Sequence, residues 1–301
     1  MDIKKEISNR TESINEILEK YLPSEEGFQK TIFEAMNYSV RVGGKRIRPM
    51  LMEASYRMFG GDEEVIYPFM AAIEFIHSYS LVHDDLPAMD NDEYRRGQKT
   101  THVVYGEAMA ILAGDALLNY AYEIANSSFS FGKDYEKIGK ALLVLSRKAG
   151  IYGMVGGQVV DVEAEKSDDA AKKEISRSKL DFIYRLKTGA LIEAAMMIGA
   201  ILAGASDEEV ARVEEIAAKL GLAFQIQDDI LDVTSTLETL GKPVGSDEKN
   251  NKTTYVTLKG IETASKEQKE MSAHAISLLQ SLELENDFLM ELIKSLITRI
   301  K

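Results

Sequence analysis

Apolar residues recur at helical spacing along almost the whole chain, and the strict alternation of a half-buried strand is essentially missing. Ile7, Ile14, Ile17, Leu18 and Tyr21 mark an amphipathic first helix that stops near Pro23. A second run, from Phe28 to Val42, ends at Gly43-Gly44, a pair suited to terminating a helix. Pro49 stands near the start of the next helix, which carries Leu51, Met52, Ala54 and Met58. Gly60-Gly61-Asp62 breaks it, and Pro68 opens another that runs into a cluster of aspartates. Later helices are expected at 107–126, 135–160, 172–203, 207–233 and 265–299. Asn126 to Asp134 and the acidic stretch Glu163 to Asp169 read as surface loops. No long flexible linker or low-complexity tail divides these segments. The expectation is an all-α fold, a single-domain helical bundle over residues 1–301.

Composition narrows the function classes. Cysteine is absent, which removes disulfides, thiolate metal sites and a cysteine nucleophile together. The net charge of -13 argues against general nucleic-acid binding, which needs a basic surface. The start, Met1 to Glu6, carries alternating charge and does not read as a signal peptide. The most lipid-like stretch, Gly189 to Ala205, is slightly short for a span and is interrupted by Glu193. A helix apolar on every side is usually a central one. A cytoplasmic protein, not integral to a membrane, is expected.

Two aspartate clusters lie far apart, Asp84-Asp85-Leu86-Pro87-Ala88-Met89-Asp90 and Asp228-Asp229-Ile230-Leu231-Asp232. Crowded carboxylates resist ionising unless a cation joins them, and a bound divalent metal makes the crowding favourable. In the second cluster Asp228 and Asp232 are one helical turn apart on one face, with Asp229 about a quarter-turn away. Taken alone, a solvated acidic helix face shows the same pattern. In the first cluster Asp84 and Asp90 would fall on different faces of an unbroken helix. Pro87 disfavours helix at Leu86, so the chain can turn there and bring Asp90 back beside Asp84.

The cations cluster too. Arg95 and Arg96 follow the first acidic cluster and suit bidentate phosphate binding, or else surface salt bridges to Asp92 and Glu93. Gly43-Gly44-Lys45-Arg46-Ile47-Arg48-Pro49 sets three cations at a helix start, where backbone N–H groups also favour an anion. It lacks the spacing of a Walker loop. His77 lies two turns before Asp84 and can be structural or functional. Further cations stand at Lys187, Lys242 and Lys252. Acids and cations together suggest a metal–diphosphate site.

In order along the chain come Gly-Gly-Lys-Arg-x-Arg-Pro, the stretch from Tyr79 to Gly97, Gly156-Gly157-Gln158 and Lys187-Thr188-Gly189. Phe224-Gln225-x-Gln227-Asp228-Asp229-x-x-Asp232 and Gly241-Lys242-Pro243 follow. From about residue 28 to the C-terminus this series resembles the trans-isoprenyl diphosphate synthases, most closely the bacterial farnesyl diphosphate synthases (geranyltranstransferases). Lys99, Val256 and the pair Glu93-Tyr94 depart from the family pattern without removing an assigned charge.

The resemblance implies central helices around a deep active-site cavity, and a homodimer. It implies three magnesium ions per site, held by Asp84, Asp85 and Asp90 on one side and Asp228, Asp229 and Asp232 on the other. Asp84, Asp85, Asp90, Arg95, Lys187, Asp228 and Lys242 would carry the catalytic charge. Lys45, Arg48, His77 and Arg96 match the isopentenyl diphosphate site, and Arg95 the allylic diphosphate contact. Lys187, Thr188, Gln225, Lys242 and Lys252 would complete the shell.

Product length is expected to depend on Tyr79 and Ser80, a pair that resembles the farnesyl type. Tyr79 sits roughly 7–8 Å along the helix from Asp84 at the usual rise per residue. Alternatively Tyr79 is ordinary packing, and Ile76 or a neighbouring helix sets the limit, giving geranylgeranyl or longer products. A terpene cyclase would lack Gly-Gly-Lys-Arg-x-Arg-Pro. A non-catalytic subunit of a heteromeric synthase typically loses its acidic motifs, and both are kept here.

Overall fold

A computed structural model describes residues 2–131, 134–166, 175–234, 253–284 and 286–297. Four helices build the N-terminal part: α1 (Ile3–Tyr21), α2 (Lys30–Arg41), α3 (Ile47–Met58) and α4 (Tyr67–Asp84). The Asp2 carboxylate caps α1 by accepting from the N–H groups of Lys4 and Lys5. Pro68 stands in the first turn of α4, where its missing N–H costs nothing. Then follow α5 (Thr101–Tyr105), α6 (Glu107–Asn126), α7 (Tyr135–Ala149), α8 (Met154–Lys166) and α9 (Arg177–Ile183). A π-helical turn (Tyr184–Gly189) leads into α10 (Ala190–Ala203). The chain closes with α11 (Asp207–Thr234), α12 (Tyr255–Lys259), α13 (Ile261–Gln280) and α14 (Asp287–Ile297).

The apolar stretch singled out above becomes α10, buried at every position from Ala190 to Leu202. It packs on α3, α7 and α11, while α4 lies along α6. Both α4 with its preceding turn and α9–α10 are long and apolar enough to cross a membrane, yet most of each is buried inside the protein. Glu193 is fully buried within α10, where it accepts from Lys148 and pairs with Arg185 at 3.3 Å. A second, smaller apolar cluster joins Leu180, Ile183, Tyr184, Ile226 and Tyr255.

Several boundaries differ from expectation. The helix expected over 135–160 is two, α7 and α8, parted by a turn beginning at Gly150. The helix expected over 265–299 breaks between Gln280 and Asp287, where the Asn286 side chain accepts from the Leu289 N–H at 2.7 Å and starts α14. The acidic stretch expected as a loop is helical as far as Lys166, the end of α8. The segment expected as one helix over 172–203 contains the π turn, which aperiodic widening hides from a 3.6-residue pattern. A short antiparallel hairpin, Tyr94–Arg95 with Gln98–Lys99, also forms. Its two turn residues, Arg96 and Gly97, both have positive φ (53° and 78°), as a tight two-residue hairpin demands.

Candidate active site

The C-terminal end of α4 carries the first acidic cluster. The helix stops at Asp84, and the chain folds back so that the Asp90 N–H donates to the Asp84 carbonyl at 2.8 Å. The expected return of Asp90 therefore occurs through the backbone. Lys166 steadies the loop from α8, donating to the carbonyls of Ala88 (3.0 Å) and Met89. The Asp84 carboxylate accepts from Gln158 Nε2 at 2.7 Å. Burial raises its pKa to about 6; Asp90 and Asp85 add repulsion, while Lys187 and Arg95 oppose the shift.

Asp85 takes a different partner. Its carboxylate is gripped by Arg95, with Nε at 2.8 Å and Nη2 at 2.5 Å from Oδ1. Burial pushes its pKa up, and Arg95 works against that. The tight hairpin sends the adjacent arginines apart. Arg95 turns to Asp85, whereas Arg96 lies so close over Gly44 that a Cβ there would sit 2.5 Å from Nη1.

Arg96 thereby joins Lys45, Arg48 and His77 around a pocket of about 470 Å³ at the start of α3. Arg48 Nε is buried with no hydrogen-bond partner among the described residues. Burial lowers the pKa of both Arg48 and Arg96, with neighbouring guanidinium charge adding to the effect. His77 is held well below the usual imidazole value, first by burial and then by Arg48, Arg96, Arg95 and Arg46. It is neutral at physiological pH. The concentration of positive charge is that of an anion site.

The π turn presents Lys187 and Thr188 to a second, adjoining cavity. Lys187 Nζ donates to Asp161 at 2.6 Å, and Thr188 Oγ1 to Gln225 Oε1 at 2.9 Å. The turn touches α8 at Gly157, where a Cβ would lie 2.3 Å from the Lys187 nitrogen. This cavity, about 690 Å³ and mainly apolar, is lined among others by Arg48, His77, Tyr79, Ser80, Asp84, Lys187 and Thr188.

The second acidic cluster lies near the end of α11. Asp229 is buried and accepts from the Tyr184 hydroxyl (2.6 Å) and the Tyr255 N–H (2.9 Å), tying α11 to the π turn and α12. Asp232 is buried and Asp228 half-buried. Lys242 and Lys252 lie outside the described residues. Among the described residues no three acidic or imidazole groups converge on one metal-sized point.

Sequence reasoning quoted Gln158 only within the Gly156-Gly157-Gln158 motif, without a role, and missed Asp161. They sit one turn apart on α8 and reach Asp84 and Lys187. Their i, i+3 spacing beside Gly156-Gly157 was a usable signal. It also left Arg46 without a role; this residue is buried and pairs with Glu74 at 2.7 Å.

Comparison with known proteins gives the arrangement its context. The polyprenyl synthetase family model matches residues 29–292. The farnesyl diphosphate synthase of Geobacillus stearothermophilus is 43% identical over 263 residues, covering 86% of this chain and 84% of that protein. The geranylgeranyl diphosphate synthase of Cyanophora paradoxa is 45% identical over 259 residues, covering 86% and 83%. Among solved structures, an FPP/GFPP synthase from Zymomonas mobilis superposes with a TM-score of 0.86 at 32% identity over 99% of both chains. A geranyltransferase from Helicobacter pylori, solved with magnesium and isoprenyl diphosphate, gives 0.83 at 30% identity over 99% of this chain and 97% of that one. With its all-α isoprenoid synthase fold and these relatives, the chain is a prenyl diphosphate synthase belonging to the polyprenyl synthetase family.

Proposed function

We propose that the chain is a farnesyl diphosphate synthase. It joins isopentenyl diphosphate head to tail first to dimethylallyl and then to geranyl diphosphate. The observation that carries the product assignment is Tyr79, whose buried ring lines the apolar cavity one and a half turns before Asp84. A bulky ring there limits the growing tail. The named relatives include both farnesyl and geranylgeranyl synthases, so the ring rather than overall similarity supports the choice.

The isopentenyl diphosphate goes to Lys45, Arg48, Arg96 and neutral His77, where Arg48 Nε is buried with no hydrogen-bond partner among the described residues. Arg95 and Lys187 would bind the allylic diphosphate, joined by Lys242 and Lys252 from outside the described residues. Asp84, Asp85 and Asp90 with Asp228, Asp229 and Asp232 would hold three magnesium ions. The donor set fits: oxygen ligands suit magnesium, and the repulsion of Asp84 by Asp90 and Asp85 makes an added cation favourable there. The Helicobacter pylori relative was solved with both magnesium and isoprenyl diphosphate, which supports the same assignment.

Bound magnesium supplies positive charge for a leaving diphosphate. Lys187 and Arg95 add fixed charge from the chain itself, favouring cleavage of the allylic C–O bond. The isopentenyl double bond then forms the new C–C bond, and the proton lost goes to the released diphosphate. Thr188 and Gln225, already bonded to each other, turn their dipoles toward the carbocation. The apolar cavity keeps out water that would quench it. The same reading takes residues 1–301 as one domain acting in the cytoplasm as a homodimer. Exposed Ile111, Leu112, Ile151 and Tyr152 supply apolar surface for the second copy.

The test is a product assay with purified protein, magnesium, isopentenyl diphosphate and dimethylallyl or geranyl diphosphate. Farnesyl diphosphate as sole end product supports the reading. Geranylgeranyl or longer product keeps the catalytic assignments and discards Tyr79 as the limit. No product at all points to a non-catalytic subunit.

A further inference from the structure

Tyr79 does not stand alone in the cavity wall. His83, one turn later on α4, lines the same cavity and meets its ring edge-to-face, with centroids 5.8 Å apart and planes at 83°. His83 is itself fixed from the other side. Its Nε2 lies 3.1 Å from the Ile111 carbonyl on α6, so this nitrogen carries the proton and donates. Asp115, at 3.9 Å and exposed, is beyond hydrogen-bond reach.

The imidazole fits here only because residue 114 is glycine. A Cβ at Gly114 would lie 2.1 Å from His83 Nε2 and 2.3 Å from Cδ2, far inside contact distance. The ring is thus seated directly against the α6 backbone. Through that seat it buttresses Tyr79, which has no other ring partner among the described residues. A barrier to an apolar chain must be held as well as bulky, since an unsupported ring swings aside by a rotamer change.

We propose that product length is set by a three-part device, Tyr79 braced by His83 seated on Gly114, with His83 and Gly114 as further specificity-determining residues. The inference rests on the prenyltransferase reading above and extends it. Removing the His83 ring releases the brace and opens volume, so the tail grows by a further isoprene unit. Adding a side chain at 114 forces the imidazole toward the cavity and shortens the product.

The experiment compares products of the unmodified chain with those of H83A, H83N and G114A in one assay with magnesium and geranyl or dimethylallyl diphosphate. H83A and H83N are expected to raise the ratio of longer to normal product about tenfold or more, the scale on which small pocket groups discriminate. H83N keeps a donor for the Ile111 carbonyl, so a lengthened product from it as well assigns the effect to the ring rather than to the tether. G114A is expected to shift product toward shorter chains. A purely structural contact would lower the rate of the His83 variants without lengthening their product. Unchanged product length in both His83 variants overturns the inference even where G114A fails to fold. No product from the unmodified chain overturns the prenyltransferase reading, and this inference with it.

Discussion

Arg46 and Arg48 are two residues apart at the start of α3, and both lie in one short cationic motif, yet their surroundings are opposite. Arg46 is buried among partners: Glu74 at 2.7 Å, the Val40 carbonyl at 2.7 Å and Asn15 at 2.9 Å. Arg48 shares its pocket with Lys45 and Arg96 as well as Glu74, and its Nε is buried with no hydrogen-bond partner among the described residues. A buried charge with its counter-ion and hydrogen bonds satisfied is architecture. A buried donor left unpaired beside like charges costs the fold stability, and an incoming anion recovers it. The same residue type, two positions on, thus serves the fold in one case and the proposed ligand in the other.

Four measurements probe that division, ordered from the greatest effect. Chelating divalent cations should abolish turnover while the unfolding transition of the ligand-free protein stays where it was. A chain that unfolds on chelation would put the metal on the structural side. Next, E74A leaves Arg46 as an uncompensated buried charge, at a cost of roughly 3–5 kcal/mol. Denaturant titration should show that loss, and a change under 1 kcal/mol, the scale of an exposed pair, would show that Arg46 finds water instead.

R48A should behave in the reverse sense. Its kcat/KM for isopentenyl diphosphate should fall by about 10–100-fold, the worth of a hydrogen bond to a charged group. Its stability should hold or rise, because an unsatisfied buried group has gone. Lowered stability with unchanged KM would make Arg48 a second Arg46.

The smallest effect is a pH dependence. His77 has a folded-state pKa below its unfolded value near 6.5, so the unfolded chain takes up the proton first. Its contribution is complete above about pH 6.5 and is lost as pH falls toward the folded-state value. The slope is at most about 1.4 kcal/mol per pH unit. H77Q should remove His77's share of that slope, and bound diphosphate should weaken it by favouring the charged imidazole. Parent and H77Q curves that run parallel between pH 7 and pH 5 would contradict the burial of neutral His77 among guanidinium groups, because the raised pKa of Asp84 adds an opposite slope to both.

Most of the helices were legible because apolar periodicity reports directly which face is buried. The ends of α6 were read as they stand, and α11 was missed by a single residue. The π turn was not legible, since adding a residue to one turn leaves no mark in a periodic pattern. Nor was the split between α7 and α8. Among the site residues, Asp84, His77, Tyr79, Ser80, Lys187 and Thr188 were named in advance and line one cavity. Gln158 was named without a role and Asp161 not at all; their i, i+3 spacing marks a shared face, but which partners that face meets is decided only when α8 packs.

Local chemistry along the chain was enough to set the all-helical fold, the breaks at Pro and Gly, and the order of acidic and cationic motifs. Those follow from short-range sterics and from the spacing of apolar residues, which any segment carries with it. Packing alone decided which charges pair. Asp85 lies beside Asp84 in sequence, yet a tight hairpin delivers Arg95 to it while Gln158 reaches Asp84 from α8. Asp229 is likewise claimed by Tyr184 and Tyr255 from other elements. Electrostatic partnership depends on distance in space and on the dielectric around each group, and neither exists until remote helices meet.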